Sequence, residues 1–371
     1  MTKPWPVGDP ALLAPVEEHE DLRAVIRKVL ERHAPHPRVR EVADSPLGYA
    51  PELWALLNSE LGVSALAAPE SRGGLGFGTR ELGVVLEECG RALISEPVLS
   101  SAVLGVQALL AADDDVVDDV LGSALSGEHI LTLAPDDEGA VRAEPAGEGW
   151  KLHGNIARLV HGEIADSYVV CASTAEGTGL FLVGREAAGV EVRRLTTLDP
   201  TRRQAAVTFD AAPARLLLEP SRTPDVLRRL EDLARASLAC EHVGMIDRML
   251  SSTVEHVTSR HQFGRPLGSF QVIKHRLADM LVDLERARSA ARYAMAVWPE
   301  ASDSASLAAA VAAAVCTDAV MRATADAVQL HGGIGFTWEH EAHYYVRRAL
   351  GDEPLFGDAR SARARIAELV L

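Results

Sequence analysis

The sequence predicts an α+β protein in which a β-rich segment lies between two helical ones. Three observations carry that expectation. Apolar residues recur at helical spacing from about residue 17 to residue 128, short β-branched and aromatic runs follow, and helical spacing returns from residue 223 to the end. The expected domains are therefore 1–128, helical; 129–218, β; and 219–371, helical.

Within the first domain, residues 19–33 form one helix that stops near Pro35 and Pro37, and residues 51–61 form another with proline in its first turn. A glycine-rich loop, Pro69-Glu-Ser-Arg-Gly-Gly-Leu-Gly-Phe-Gly78, precedes a long helix at 79–92. It is no Walker loop, because no Gly-Lys-Ser/Thr follows. Residues 98–110 read as a further buried helix. In the middle domain, residues 129–135, 150–154, 167–173, 179–183, 190–194 and 204–209 read as strands, broken by Gly, Pro and Asp. In the last, residues 288–298 and 307–329 are long helical elements.

Composition excludes several functions. A formal net charge of −16 argues against general nucleic-acid binding and against an anionic membrane surface. Cys89, Cys171, Cys240 and Cys316 are widely scattered, so neither a disulfide framework nor a metal site is expected. They read as small buried hydrophobes. No uninterrupted apolar run reaches the roughly 18 to 20 residues of a membrane span. The start, Met1-Thr-Lys-Pro-Trp-Pro, lacks a signal-peptide layout, so a soluble, cytoplasmic protein is expected.

The chemistry concentrates at residues 260–280. A helical pattern meets Gly264, Pro266 and Gly268, which no helix interior carries, and resumes from Phe270. Ahead of that corner stand a cation, Arg260, an amide, Gln262, and an aromatic, Phe263, beside a backbone that Gly264 leaves open. An anionic, flat ligand suits them. The other reading of Arg260 is a cation complementing the dipole at a helix C-terminus.

Arg-x-Gln-Phe-Gly, then Phe-Gln, then Leu-Ala-Asp-Met resembles the acyl-CoA dehydrogenase family, flavoenzymes that desaturate acyl thioesters. Gln329-Leu-His-Gly-Gly-Ile-Gly-Phe336 resembles the family's second motif, Gln-x-x-Gly-Gly-x-Gly-Phe. The loop at 69–78 resembles a turn of the family's helical N-terminal domain. The resemblance spans nearly the whole chain. It implies an all-α N-terminal domain, a small β-barrel and a C-terminal four-helix bundle, and an oligomer built on that bundle. It also implies FAD as cofactor, an acyl-CoA substrate, and electron-transfer flavoprotein or a similar acceptor. Arg260, Gln262, Phe263, Gln329, Gly332 and Gly333 are then the cofactor-binding residues, reaching the FAD of a neighbouring subunit.

Desaturation needs a carboxylate to take the α-proton and a flavin to take a hydride from Cβ. In many relatives the base is a Glu before a Gly about twenty residues beyond the Gly-Gly-x-Gly-Phe loop, but that place here is Phe356, followed by Gly357 and Asp358. Asp358 reads as a capping or solvated carboxylate. The family's other base position corresponds to Ala234. One carboxylate remains, Glu241, on the apolar stripe Leu230, Ala234, Leu238, Glu241, Met245, Met249. A buried carboxylate with a raised pKa can act as a base near neutrality. The alternative is a structural carboxylate paired with His242 or an arginine near Arg248.

The flavin-facing strands also depart from the family. Thr132-Leu-Ala-Pro135-Asp-Asp shortens one motif, and Ile156-Ala-Arg158-Leu-Val-His161-Gly162 puts Arg158 where relatives carry the Trp that lines the flavin. The chain thus keeps one half of a shared FAD site and has lost much of the other. It resembles a subunit of the actinobacterial α2β2 acyl-CoA dehydrogenases acting on sterol side-chain thioesters, as does Leu198-Asp-Pro-Thr-Arg-Arg203. Two other readings stay open: a self-sufficient homo-oligomer with Glu241 as a relocated base, and a non-catalytic scaffold for a partner.

Overall fold

Helices, then strands, then helices follow one another in the structure, a computed structural model that describes residues 12–14, 16–134, 139–147, 149–338 and 340–371. The chain forms two compact units. One takes the described residues up to Glu41 with Thr79–Ile94 and Arg235–Leu371; the other takes Val42–Gly78 and Ser95–Ala234.

The first unit holds α1 (Glu17–His33), the start of α2 (His36–Asp44), α4 (Thr79–Ala92) and most of α7 (Thr223–Ser259). It continues through α8 (Gln271–Val297), α9 (Asp303–His331), α10 (Ala342–Asp352) and α11 (Ala359–Val370). α1 stops before Pro35 as expected, but α2 begins at once, because proline in a first turn removes only an N–H that would lack a partner. Below the corner, one unbroken α8 replaces the shorter expected helix at 288–298.

α9 is long and apolar enough to cross a membrane, yet 72% of that apolar window is buried inside the protein. It is a core helix, whose buried alanines let α8 pack along it. Glycines bring α4 equally close to α7. A Cβ at Gly90 would sit 2.1 Å from the carbonyl oxygen of Glu241, and one at Gly244 1.8 Å from that of Glu87.

Beside this contact α4 buries two carboxylates and surrounds them with arginine. Glu87 accepts from Arg292 Nε at 2.9 Å and pairs with Arg23 at 2.7 Å, while Arg27 grips Glu88 with two bonds of 2.8 and 2.7 Å. Burial pushes the Glu87 carboxyl up, but Arg292 and Arg23 together overcome it and leave the carboxyl below its ordinary range. This network is structural.

The second unit carries α3 (Pro51–Leu61), a buried helical run Val98–Leu110 and α6 (Asp114–Leu125) against a β-sheet. The first eight residues of that run, Val98–Gly105, are wound as a π-helix, and Val106–Leu110 is α5. The strands are β1 (Leu131–Leu133), β2 (Val141–Ala146), β3 (Gly149–Val160), β4 (Ser167–Thr174), β5 (Gly177–Gly184), β6 (Val190–Arg194) and β7 (Gln204–Leu218).

The order β4-β2-β3-β7-β5 closes on itself through β4–β5, with β1 parallel to β4 and β6 on β7. This closure makes the expected small barrel and removes its free edges. β2 is the strand that sequence periodicity missed. Only Val141 and Ala143 of Val-Arg-Ala-Glu-Pro-Ala are buried, too few apolar positions to register, although the alternation is there.

Two buried polar groups tie the helical segments of this unit to its strands and turns. Arg203 donates to the carbonyls of Ala43 and Pro46 and to Glu163 Oε1. Glu96 accepts from the N–H groups of Ala50 and Ser95, both at 3.1 Å, and burial pushes its carboxyl up to about 7.

Candidate functional site

α7 ends at Ser259, and the chain turns through a hairpin of β8 (His261–Gln262) and β9 (Arg265–Pro266). Phe263 and Gly264 occupy its two central positions with φ of +52° and +76°. A two-residue hairpin of the type I′ kind has left-handed backbone at both, which glycine adopts freely and phenylalanine does not. The N–H of Leu267 then bonds the carbonyl of Arg260 at 2.8 Å and closes the corner, and α8 follows. Phe270 underlies the hairpin: the Arg265 guanidinium lies 3.9 Å from its ring centroid and Phe263 meets it edge-on.

Arg260, Gln262 and Phe263 are all exposed, Phe263 at 87%. Among the described residues no carboxylate pairs with Arg260, in contrast to the arginines around Glu87 and Glu88.

The second arm is the end of α9. Gln329 is exposed in its last turn, Gly332 caps the helix with φ +65°, and Gly332–Phe336 continues as a 3-10 turn. A Cβ at Gly332 or Gly333 would meet nothing within 4 Å. The open side of that backbone is therefore free for close approach by a ligand. Ile334, Phe336 and Trp338 are exposed beside it, a run of apolar surface that asks for a cover.

The structure brings the two arms together through histidines that sequence reading did not single out. His256, in the last turn of α7, lies with its ring centroid 4.5 Å from that of His331, the last residue of α9, and His331 lies 4.3 Å from His340. Burial, His331 and Arg260 lower the pKa of His256. No sequence pattern marks these three as a group, because His256 is far along the chain from His331 and His340. An exposed unpaired guanidinium, two amide side chains and a bare glycine backbone on adjoining corners fit the diphosphate and polar edges of a dinucleotide such as FAD.

The candidate bases are placed as follows. Ala234 is buried in α7, and Phe356 stands at φ +56° with its carbonyl accepting from Arg235 Nε at 3.1 Å. Asp358 caps α11, accepting from the N–H of Ser361 at 2.7 Å, and these bonds from Ser361 hold its carboxyl below the ordinary range. The capping role is the one foreseen for it. Glu241 is buried, 4% exposed, where α7 meets α4. Of the groups suggested around it, His242 lies 3.6 Å from Asp352, and Arg248, near which an arginine partner was expected, itself pairs with Glu341 at 2.6 Å.

In the β unit the altered segments are occupied by their own contacts. The Thr132 hydroxyl donates to Val160 O at 2.8 Å. His161 is buried with φ +56° and shares a 2.7 Å hydrogen bond with the Ser100 hydroxyl, and Arg158 is exposed. Pro135, Asp136 and Asp137 lie outside the described residues. All four cysteines are buried thiols outside any disulfide, and no metal-binding cluster occurs among the described residues.

Comparison with known proteins agrees along the chain. Residues 16–128 match the model of the acyl-CoA dehydrogenase N-terminal domain, and residues 226–371 that of its C-terminal domain. The acyl-CoA dehydrogenase IpdE2 of Mycobacterium tuberculosis is 33% identical over 95% of this chain and 98% of its own. A chain of the Mycobacterium tuberculosis ChsE4-ChsE5 complex superimposes with a TM-score of 0.88 at 31% identity, covering 96% of this chain and 98% of that one. A variant of the Tcur3481-Tcur3483 steroid ACAD gives 0.86 at 30%, covering 95% and 98%.

Proposed function

The chain belongs to the acyl-CoA dehydrogenase family, FAD-dependent oxidoreductases acting on CH–CH groups, and we propose that it works as one of two related subunits sharing an FAD site. The observation that carries the proposal is the corner itself, with Arg260 exposed and unpaired beside the open backbone at Gly332 and Gly333. Arg260 holds the diphosphate, Gln262 and Gln329 bond its polar neighbours, and Phe263 covers the cofactor's face. A partner subunit supplies the strands against the flavin ring, for which Arg158 here is unsuited. FAD, when bound, accepts the hydride from the substrate's Cβ.

The ChsE4-ChsE5 complex and the Tcur3481-Tcur3483 steroid ACAD support a pairing of two different subunits and a steroid acyl-CoA thioester as substrate, and we read the assembly as two copies of each subunit. Electron-transfer flavoprotein or a similar carrier reoxidises the flavin, and the assembly works in the cytoplasm. The domains act as residues 1–128, 129–218 and 219–371.

The partner provides the principal base on this reading, because Phe356 and Ala234 offer no carboxylate. The burial of Glu241 on α7 favours a second reading, in which the chain is self-sufficient and Glu241 takes the α-proton. The variant Glu241→Gln in the assembled protein separates the two. Unchanged turnover removes Glu241 as the base; a loss of roughly a hundredfold or more, the scale of general-base catalysis, installs it.

A further inference from the structure

We propose that His256, His331 and His340 form an imidazole cluster that keeps the two cofactor arms in register, so that proton uptake at His340 loosens this chain's hold on FAD. The inference rests on the reading of Arg260 and the Gly332–Gly333 loop as cofactor arms.

The stack sits on both arms at once. The carbonyl of His256 accepts from the N–H of Arg260 at 2.9 Å, His331 adjoins Gly332, and His340 follows the 3-10 turn. Hydrogen bonds fix the protons. His331 Nδ1 lies 2.7 Å from the carbonyl of Ala327, which can only accept, so Nδ1 carries the hydrogen. His340 Nδ1 accepts from the N–H of Ala342 at 3.1 Å, so its Nδ1 is bare.

Ala342 is the first residue of α10, and its N–H has no acceptor inside the helix. His340 therefore works as a side-chain cap. A proton on Nδ1 breaks that cap and sets a cation at the positive end of the helix dipole.

The surroundings give such a cation little help. His340 faces His256 and Arg248 of α7, His331 of α9, His343 of α10 and His36 of α2, with Glu341 just ahead of α10 acting on His36. Glu341, the one carboxylate in that set, is bonded to Arg248. Burial first, then the neighbouring imidazoles and Arg248, push His340 down to about 4, and burial does the same to His36.

A histidine pKa lowered in the ordered state means that proton uptake favours the loosened one. The contribution is complete above the ordinary value near 6.5 and is lost as pH falls toward 4. FAD affinity then falls by up to about tenfold per pH unit across that window for one proton.

The test uses the assembly of this chain with its partner, and reads free FAD by fluorescence between pH 5.0 and 7.5. Wild type should weaken on acidification. His340→Asn keeps a cap acceptor without a proton to gain, and should hold FAD at pH 5.5 as tightly as at 7.5. His340→Leu, with no acceptor, should bind more weakly at every pH with a flat profile. Amide exchange of residues 332–342 in the chain alone, corrected for intrinsic rates, should quicken on acidification in wild type and not in His340→Asn. An unchanged slope in His340→Asn, or tighter FAD binding in acid, overturns the proposal. If Arg260→Ala leaves FAD affinity unaltered, the cofactor reading of the arms fails, and the exchange measurement still decides the stack.

Discussion

Two sets of arginines in the helical unit have opposite fates. Arg23, Arg27 and Arg292 are tied to Glu87 and Glu88, whose carboxylates are 4% and 2% exposed. Arg260 stands exposed at a hairpin, with no carboxylate paired to it among the described residues. Removing a carboxylate from the first set takes a buried partner from half-buried cations; removing the guanidinium of the second takes a partner from nothing in the chain. Paired charge in the interior is architecture, and unpaired charge beside bare backbone is a place for a ligand.

The largest expected effect is therefore on stability and in the core. Glu87→Ala leaves Arg292 without its buried partner and Arg23 with Glu88 alone, and should cost about 3 kcal/mol, the lower end for breaking a buried pair, read as a lower midpoint of denaturant unfolding. Flavin binding to whatever assembly survives should change little. Arg260→Ala should do the reverse. It should weaken FAD binding by about 1.5–3 kcal/mol, roughly ten- to a hundredfold, the worth of a charged hydrogen bond, with the unfolding midpoint unmoved. If the two variants exchanged phenotypes, the contrast would collapse.

Phe263 sharpens the comparison at smaller scale. Its backbone adopts φ +52° while its ring is exposed, so Phe263→Gly should relieve strain and stabilise the isolated chain by up to about 1 kcal/mol. The same change should weaken the assembly with FAD, because the covering ring is gone. Stabilisation of the chain with no loss in the assembly would return Phe263 to a purely structural turn residue.

Much of the fold was legible because it is written in local pattern. The strands at 190–194 and 204–209 announced themselves by β-branched residues, and the corner by Gly264, Pro266 and Gly268. Where local pattern is thin, reading failed. β2 shows two buried apolar residues, and α2 hides behind Pro35 and Pro37. The six cofactor candidates could be named because two motifs carry them, and the structure sets them on adjoining corners. The stack of His256, His331 and His340 was not, because it exists only after α7 and α9 have brought distant residues together. Glu241 shows the converse limit: its apolar stripe was readable, but the pairing of His242 with Asp352 and of Arg248 with Glu341 was not.

The central claim, that this chain completes a flavin site shared with a partner, is tested most directly by the ratio of FAD to protein. Absorbance would be measured for the chain purified alone and for the chain co-purified with a related acyl-CoA dehydrogenase subunit. The account predicts no flavin alone and about one FAD per two chains in the symmetric complex. One FAD bound to every chain in the absence of a partner would contradict it, and would bring Glu241 forward as the base of a homo-oligomer.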